Sequence, residues 1–228
     1  MRGENTMKFK AVLFDLDGTL LDTLEDLGDS MNAVLGRRGL PTHEMLKYKV
    51  FVGDGITKLA MRSIPEALRE DGALVAEVVA EMRAEYATHW AVKTRPYDGV
   101  PELLDALAER GVRMAVLSNK PDDFTKTMTA HLLPRWKFER VIGDRGATPP
   151  KPHPGSAFEI AANMGLEPRE FLYLGDTNTD MMTATAAGMH PIGVLWGFRT
   201  GGELAASGAR ELIERPMDIL DILQSNSE

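Results

Sequence analysis

Ala11-Val12-Leu13-Phe14-Asp15-Leu16-Asp17-Gly18-Thr19 is a four-residue apolar run that breaks into two carboxylates and a glycine. Short apolar runs bounded by turn residues mark strands buried on both faces of a parallel sheet. Three more such runs follow. Val112-Arg113-Met114-Ala115-Val116-Leu117 ends at Ser118-Asn119, Phe171-Leu172-Tyr173-Leu174 ends at Gly175-Asp176, and Pro191-Ile192-Gly193-Val194-Leu195 ends near Trp196-Gly197. A weaker strand covers Val141-Ile142. Helical patterns lie between them. Residues 100–110 carry Leu103, Leu104 and Leu107 on one face and stop at Gly111; residues 154–164 open on a proline and stop at Gly165; residues 179–187 stop at Gly188. Proline at a helix start and glycine just past its end are the expected punctuation. Alternating strands and helices predict an α/β fold whose parallel sheet is covered on both faces.

The stretch from Asp22 to about Val92 breaks this rhythm and contains no clear strand. Asp22-Thr23-Leu24-Glu25 has capping-box spacing, after which Leu24, Leu27, Met31, Val34 and Leu35 recur at helical intervals. Pro41-Thr42 opens a second helix, Asp54 or Gly55 a third, and residues 73–90 read as a longer fourth. The insertion is of domain-like size. The boundaries expected are therefore 8–21 for the first part of the core, 22–92 for the helical insertion and 93–228 for the rest, with a short strand and a last helix around Ile219 and Leu223 in the tail.

The chain has 228 residues, 43% of them apolar and 26% charged, which is ordinary for a globular protein able to bury its own core. It contains no cysteine, which excludes disulfides, thiolate nucleophiles and cysteine-ligated metal sites. A net charge of -8 argues against a broad nucleic-acid surface, because phosphate-backbone binding needs a positive patch. The first residues lack the apolar stretch of a secretory signal, and no run approaches a membrane-spanning length. The cytoplasm is the expected location, with no nucleic acid and no membrane among the partners. Met7 is an alternative start. The composition leaves monomer and homodimer both open.

The polar residues that close the strand-like runs carry the chemistry. In a parallel sheet all strand C-termini lie on one edge, where ligands of open α/β sheets bind. Asp15, Asp17, Ser118, Asn119 and Asp176 are thereby predicted to converge. Asp15 and Asp17, two residues apart, face the same way in extended chain, and Gly18 lets the backbone turn sharply after them. Carboxylates gathered like this repel unless a cation neutralises them, and magnesium prefers such hard oxygen ligands. Lys151, set among prolines in Pro149-Pro150-Lys151-Pro152-His153-Pro154, offers a fixed ammonium that balances the carboxylates and binds a phosphoryl oxygen; His153 reads as structural. Ser118 with Asn119 can donate hydrogen bonds to a phosphate. No Walker-type loop is present, Gly53-Asp54-Gly55 is too short for a dinucleotide fingerprint, and the five histidines lack metal-binding spacing.

Taken together, these motifs resemble those of the haloacid dehalogenase superfamily of phosphatases. Asp15-Leu16-Asp17-Gly18-Thr19-Leu20-Leu21-Asp22-Thr23 is similar to its first motif, Ser118-Asn119 to its second, Lys151 to its third, and Gly175-Asp176 through Asp180 to its fourth. Within it, Thr94-Arg95-Pro96-Tyr97-Asp98-Gly99-Val100, Ser118-Asn119-Lys120-Pro121 and Gly193-Val194-Leu195-Trp196-Gly197-Phe198-Arg199 resemble the phosphoglycolate phosphatases. The resemblance implies a Rossmann-like parallel-sheet core with an inserted all-helical cap domain. It implies a Mg2+-dependent phosphatase acting on a small phosphorylated metabolite such as 2-phosphoglycolate. Asp15 would be the nucleophile and Asp17 the acid and base. Asp15, the Asp17 backbone carbonyl and Asp176 would hold the metal. Gly18, Thr19, Ser118, Asn119 and Lys151 would hold the phosphoryl oxygens, and Asp180 would support Lys151 or a metal-bound water. A sugar-phosphate mutase of the beta-phosphoglucomutase type, or another small-metabolite phosphatase or pyrophosphatase, is the alternative. Lys58, Arg62 and Arg95 are candidates for a substrate carboxylate.

Overall fold

The computed structural model describes residues 8–225, so the alternative start at Met7 lies outside the described residues. Six strands form one parallel sheet: β1 (Ala11–Phe14), β4 (Arg113–Pro121), β5 (Arg140–Asp144), β6 (Phe171–Gly175), β7 (His190–Val194) and β8 (Glu211–Ile213), in the order β5-β4-β1-β6-β7-β8. Strand β1 is central and completely buried, with β4 and β6 as its two neighbours. In register, Phe14 stands between Val116 and Leu174. The polar ends of all three strands therefore reach the same edge.

Helices α5 (Val100–Glu109), α6 (Asp122–Leu132), α7 (Gly155–Met164), α8 (Asn178–Ala187), α9 (Gly201–Ala206) and α10 (Ile219–Ser225) accompany the strands. One apolar cluster contains Ala11, Leu13, Ala115, Tyr173 and the inner residues of α7 and α8; the opposite cluster contains Val12, Phe14, Val116, Leu172 and Leu174 and continues into the helical insertion. That alternation of side chains along β1 is what a strand buried on both faces requires.

The insertion holds α1 (Leu24–Arg37), α2 (Met45–Phe51), α3 (Ile56–Ser63) and α4 (Gly72–His89). It is framed by a two-residue antiparallel pair, β2 (Leu21–Asp22) and β3 (Arg95–Pro96). Buried Asp26 fastens the frame: its carboxylate accepts the backbone N–H groups of Lys93 and Thr94 and the Thr94 hydroxyl at 2.8–3.0 Å. No helix among the described residues is long and apolar enough to cross a membrane.

Three local expectations need correction. The capping box at Asp22–Glu25 does not form. Thr23 is the N-cap, its buried hydroxyl has no partner, and Glu25 pairs with Lys93 instead. The second helix begins at Met45 rather than Pro41, because the Asn32 carboxamide pairs with both backbone groups of His43 at 2.9 Å and keeps that stretch extended. Strand β4 runs on through Ser118, Asn119 and Lys120 to pair Pro121 with Asp144 past an irregularity.

Candidate active site

Asp15 follows β1 directly and is buried; its N–H donates to Leu174 O at 2.9 Å, and its Oδ1 accepts the Leu16 N–H at 2.7 Å. Lys151 reaches it from the loop before α7. The Lys151 ammonium lies 3.0 Å from Asp15 Oδ1 and donates to Asp180 Oδ1 at 2.6 Å and to Leu117 O at 3.1 Å. Burial works against that ammonium, but Asp15 and Asp180 outweigh it and hold its pKa well above the ordinary lysine value.

Asp176 follows β6 and is fully buried. Its Oδ1 accepts the Thr19 hydroxyl at 3.1 Å and its Oδ2 the Phe198 N–H at 2.9 Å. Asp180 is fixed by the start of α8, where it accepts the Thr177 hydroxyl at 2.7 Å in a capping box. Carboxylate oxygens of Asp15, Asp176 and Asp180 lie within 4.8 Å of one another. Burial, followed by repulsion from Asp180, pushes the Asp15 carboxyl up to about 7, and the same two causes push Asp176 well above the carboxylate range. A buried all-oxygen set of this kind fits a hard divalent cation such as magnesium, whose charge would remove that penalty.

Asp17 is turned the other way. Both of its carboxylate oxygens lie 3.0 Å from the Lys120 ammonium, which also donates to the Tyr86 hydroxyl at 3.1 Å. The metal-sized carboxylate cluster thus contains the side chain of Asp180 and not that of Asp17. Gly18 takes φ +86°, its N–H donates to Leu21 O at 2.9 Å, and a Cβ there would overlap the Asp176 carboxylate. Thr19 is used on Asp176. Ser118 lies beside Asp15, and its hydroxyl accepts the Lys120 N–H at 3.2 Å. The Asn119 carboxamide brackets the Lys151 backbone, accepting its N–H at 2.8 Å and donating to its carbonyl at 3.1 Å, and also reaches Gly53 O at 3.3 Å. Asn119 therefore fixes the loop that presents the lysine.

A small cavity of about 40 Å³ opens between this edge and the insertion, with Asp15, Asp17 and Ser118 on one side and Ile56, Leu59 and Met82 on the other. Lys120 and Tyr86 line it too, and neither was assigned a role from sequence. Ser118 and Lys120 are two apart on an extended strand, so the strand period alone puts Lys120 on the side of Ser118. Tyr86 had no such signal, because only the tertiary fold brings α4 to β4. Lys58 and Arg95 are exposed, while Arg62 pairs with Asp54 and the Phe51 carbonyl; none of the three lines the cavity.

Comparisons with known proteins agree with this geometry. The family model "Haloacid dehalogenase-like hydrolase" matches residues 12–194. A phosphoglycolate phosphatase of Haemophilus influenzae is 29% identical over 95% of this chain and 99% of its own. An N-acetylmuramic acid 6-phosphate phosphatase of Pseudomonas aeruginosa is 31% identical over 95% and 96%. A crystal structure of a candidate phosphoglycolate phosphatase of Lactobacillus delbrueckii subsp. bulgaricus superimposes with a TM-score of 0.88 at 29% identity, covering 95% of this chain and 99% of that one. With its sheet order, its three polar strand ends and the extent of that match, the chain belongs to the haloacid dehalogenase-like hydrolases.

Proposed function

We propose that this enzyme is a Mg2+-dependent phosphatase that hydrolyses a small phosphate monoester of the 2-phosphoglycolate type through an aspartyl-phosphate on Asp15. The observation that carries the reading is the meeting of Asp15, Lys151, Asp176 and Asp180 at one buried point beside a cavity roofed by helices. Asp15 attacks phosphorus, the bond from phosphorus to the leaving oxygen breaks, and Asp17 gives that oxygen a proton. Asp17 then takes a proton from the water that attacks the phospho-aspartate, releasing phosphate and restoring Asp15. Lys151 and Ser118 hold phosphoryl oxygens, an arrangement suited to phosphoryl transfer, where positioning and charge stabilisation dominate. Asp15, Asp176 and the Asp17 carbonyl would hold Mg2+, with Asp180 orienting Lys151. When bound, the ion supplies positive charge that offsets the phosphate and the crowded carboxylates. Residues 22–92 act as a cap on the core formed by residues 8–21 and 93–228, excluding bulk water from the reacting atoms.

The names of the relatives support a phosphatase acting on small phosphorylated compounds. A phosphate-release screen over small phosphorylated metabolites, with and without Mg2+, tests the proposal. Metal-dependent release, fastest on compact esters, is expected. Conversion of a hexose phosphate to its isomer without free phosphate would establish the mutase instead.

A further inference from the structure

Asp15, Asp176 and Asp180 are each tied by more than one group. Among the described residues the Asp17 carboxylate pairs with Lys120 alone, both oxygens lying 3.0 Å from its ammonium. A lysine has three donors. The third goes to the Tyr86 hydroxyl at 3.1 Å, with the nitrogen 4.6 Å from the tyrosine ring centroid. Nothing is left on Lys120 for a substrate; its buried charge is spent on Asp17 and on a side chain of the insertion. Tyr86 is itself fixed. Its O–H is directed at the Met128 sulfur at 3.8 Å, and its ring meets Phe124 of α6 edge-on at 5.4 Å. Arg83, one turn earlier on α4, lies over the same Phe124 ring at 5.1 Å. Helix α4 of the insertion is thus seated on α6 of the core, and that seat carries Tyr86 to Lys120. A lysine stem has many rotamers, so its head holds one place only when tied on more than one side.

We propose that Lys120 and Tyr86 are positioning residues for Asp17, so that helix α4 of the insertion aims the acid, through one lysine, at the leaving oxygen. The inference rests on the phosphatase reading above and says what its acid step depends on. Both Asp17 oxygens reach the one ammonium. One therefore stays there while the other gives its proton to the leaving oxygen as the phosphorus–oxygen bond breaks. Without Lys120, Asp17 keeps its chemistry and loses its aim, and a misplacement of about 1 Å costs on the order of 100-fold. Without the Tyr86 hydroxyl the lysine head loses its only tie outside Asp17 among the described residues. The insertion then contributes to the chemistry itself, beyond keeping water out.

The test compares two substrates that differ in their need for an acid. One is the best alkyl ester from the phosphate-release screen, whose leaving alkoxide must take a proton. The other is acetyl phosphate, whose leaving acetate needs none. Values of kcat/KM, which read phosphoryl transfer to Asp15 and not the later hydrolysis, are measured with Mg2+ for the wild type, Lys120→Met, Tyr86→Phe, Asp17→Asn and the double variant Asp17→Asn/Lys120→Met, with folding checked by circular dichroism. Lys120→Met is expected to lower the alkyl-ester value by about 100-fold and the acetyl phosphate value by no more than roughly threefold, the low end of what a general acid contributes. Tyr86→Phe keeps the ring, shows the same pattern at about three- to tenfold, the scale of one hydrogen bond, and serves if Lys120→Met does not fold. Adding Lys120→Met to Asp17→Asn should cost nothing further, because a residue that acts through another has no effect once that one is gone. Equal losses on both substrates, or a full additional loss in the double variant, would overturn the assignment. A wild type that turns over no alkyl ester and no acetyl phosphate would instead remove the phosphatase reading, and this inference with it.

Discussion

Each polar residue at this edge has a neighbour that fixes it. Asn119 holds the backbone of Lys151, Thr19 and the Phe198 N–H hold Asp176, and Thr177 holds Asp180. Gly18 has two reasons to be glycine: a positive φ and the Asp176 carboxylate where a Cβ would stand. Gly18→Ala is expected to cost about 1–2 kcal/mol from the backbone alone and to displace Asp176 as well. Chemical denaturation together with a magnesium titration of activity checks both effects; unchanged stability and unchanged half-activation would contradict the account. Asp176→Ala removes a carboxylate from the cluster and is expected to raise the magnesium needed for half-maximal activity by at least about tenfold. An unmoved titration would take Asp176 out of the metal site. The residues that form the rim were legible in the sequence because they close apolar runs. Their partners were not. Nothing in the local pattern says that Thr19 serves Asp176, that Asn119 serves Lys151, or that Tyr86 meets Lys120, since these contacts exist only once α4, β1, β4 and β6 are packed.

Among elements, the stretch 49–55, the last turn of α2 and the link to α3, is fastened onto the sheet edge. Arg199 donates to the Lys49 carbonyl and, at 2.9 Å, to that of Val52, while the Thr179 hydroxyl donates to Asp54 Oδ1 at 2.8 Å. Burial works against an ionised Asp54, yet Arg62 and Thr179 hold its pKa below the ordinary value. Asp54→Ala removes the acceptor for both and should loosen this fastening. A KM increase of roughly tenfold, equivalent to about 1.4 kcal/mol, is expected, with faster amide hydrogen exchange confined to residues near 49–56. Unaltered KM and exchange would show that the contact does not matter for closure. The elements themselves were mostly readable: helices closed by Gly165 and Gly188 and strands such as 171–174 announce themselves by period and punctuation. Helix α6 escaped because its buried apolar positions are only Phe124 and Met128 among threonines, lysine and acids, too sparse to set a period. The β2–β3 pair escaped because two residues carry no pattern.

For the molecule as a whole, the carboxylates set a conflict between stability and function. Asp15 has an ordinary value of 3.8 and is raised to about 7 by burial and by Asp180. Between these values the folded state holds more protons than the unfolded chain, so stability falls as pH rises. The metal-free protein should therefore lose stability from about pH 4 to about pH 7, with Asp176 adding to the slope in the same direction. Saturating Mg2+ binds the ionised carboxylates of the folded state and should raise Tm most at the upper end of that window. Melting curves across this range, with chelator and with Mg2+, check it; equal shifts at both ends would be inconsistent with a carboxylate-held ion. The fold class and the insertion could be read from alternation and its interruption, whereas the cap's inward-facing residues depend on how four helices settle over one edge.

The central claim is covalent: the phosphoryl group passes through Asp15. Rapid mixing of enzyme with excess substrate, acid quench and peptide mass analysis tests it directly. The account predicts one added phosphoryl group on the peptide containing Asp15, absent when the metal is chelated and absent in Asp15→Asn, which should melt no lower than wild type yet turn over no substrate. Turnover by Asp15→Asn near the wild-type rate, or a phosphoryl group found on another residue, would contradict it.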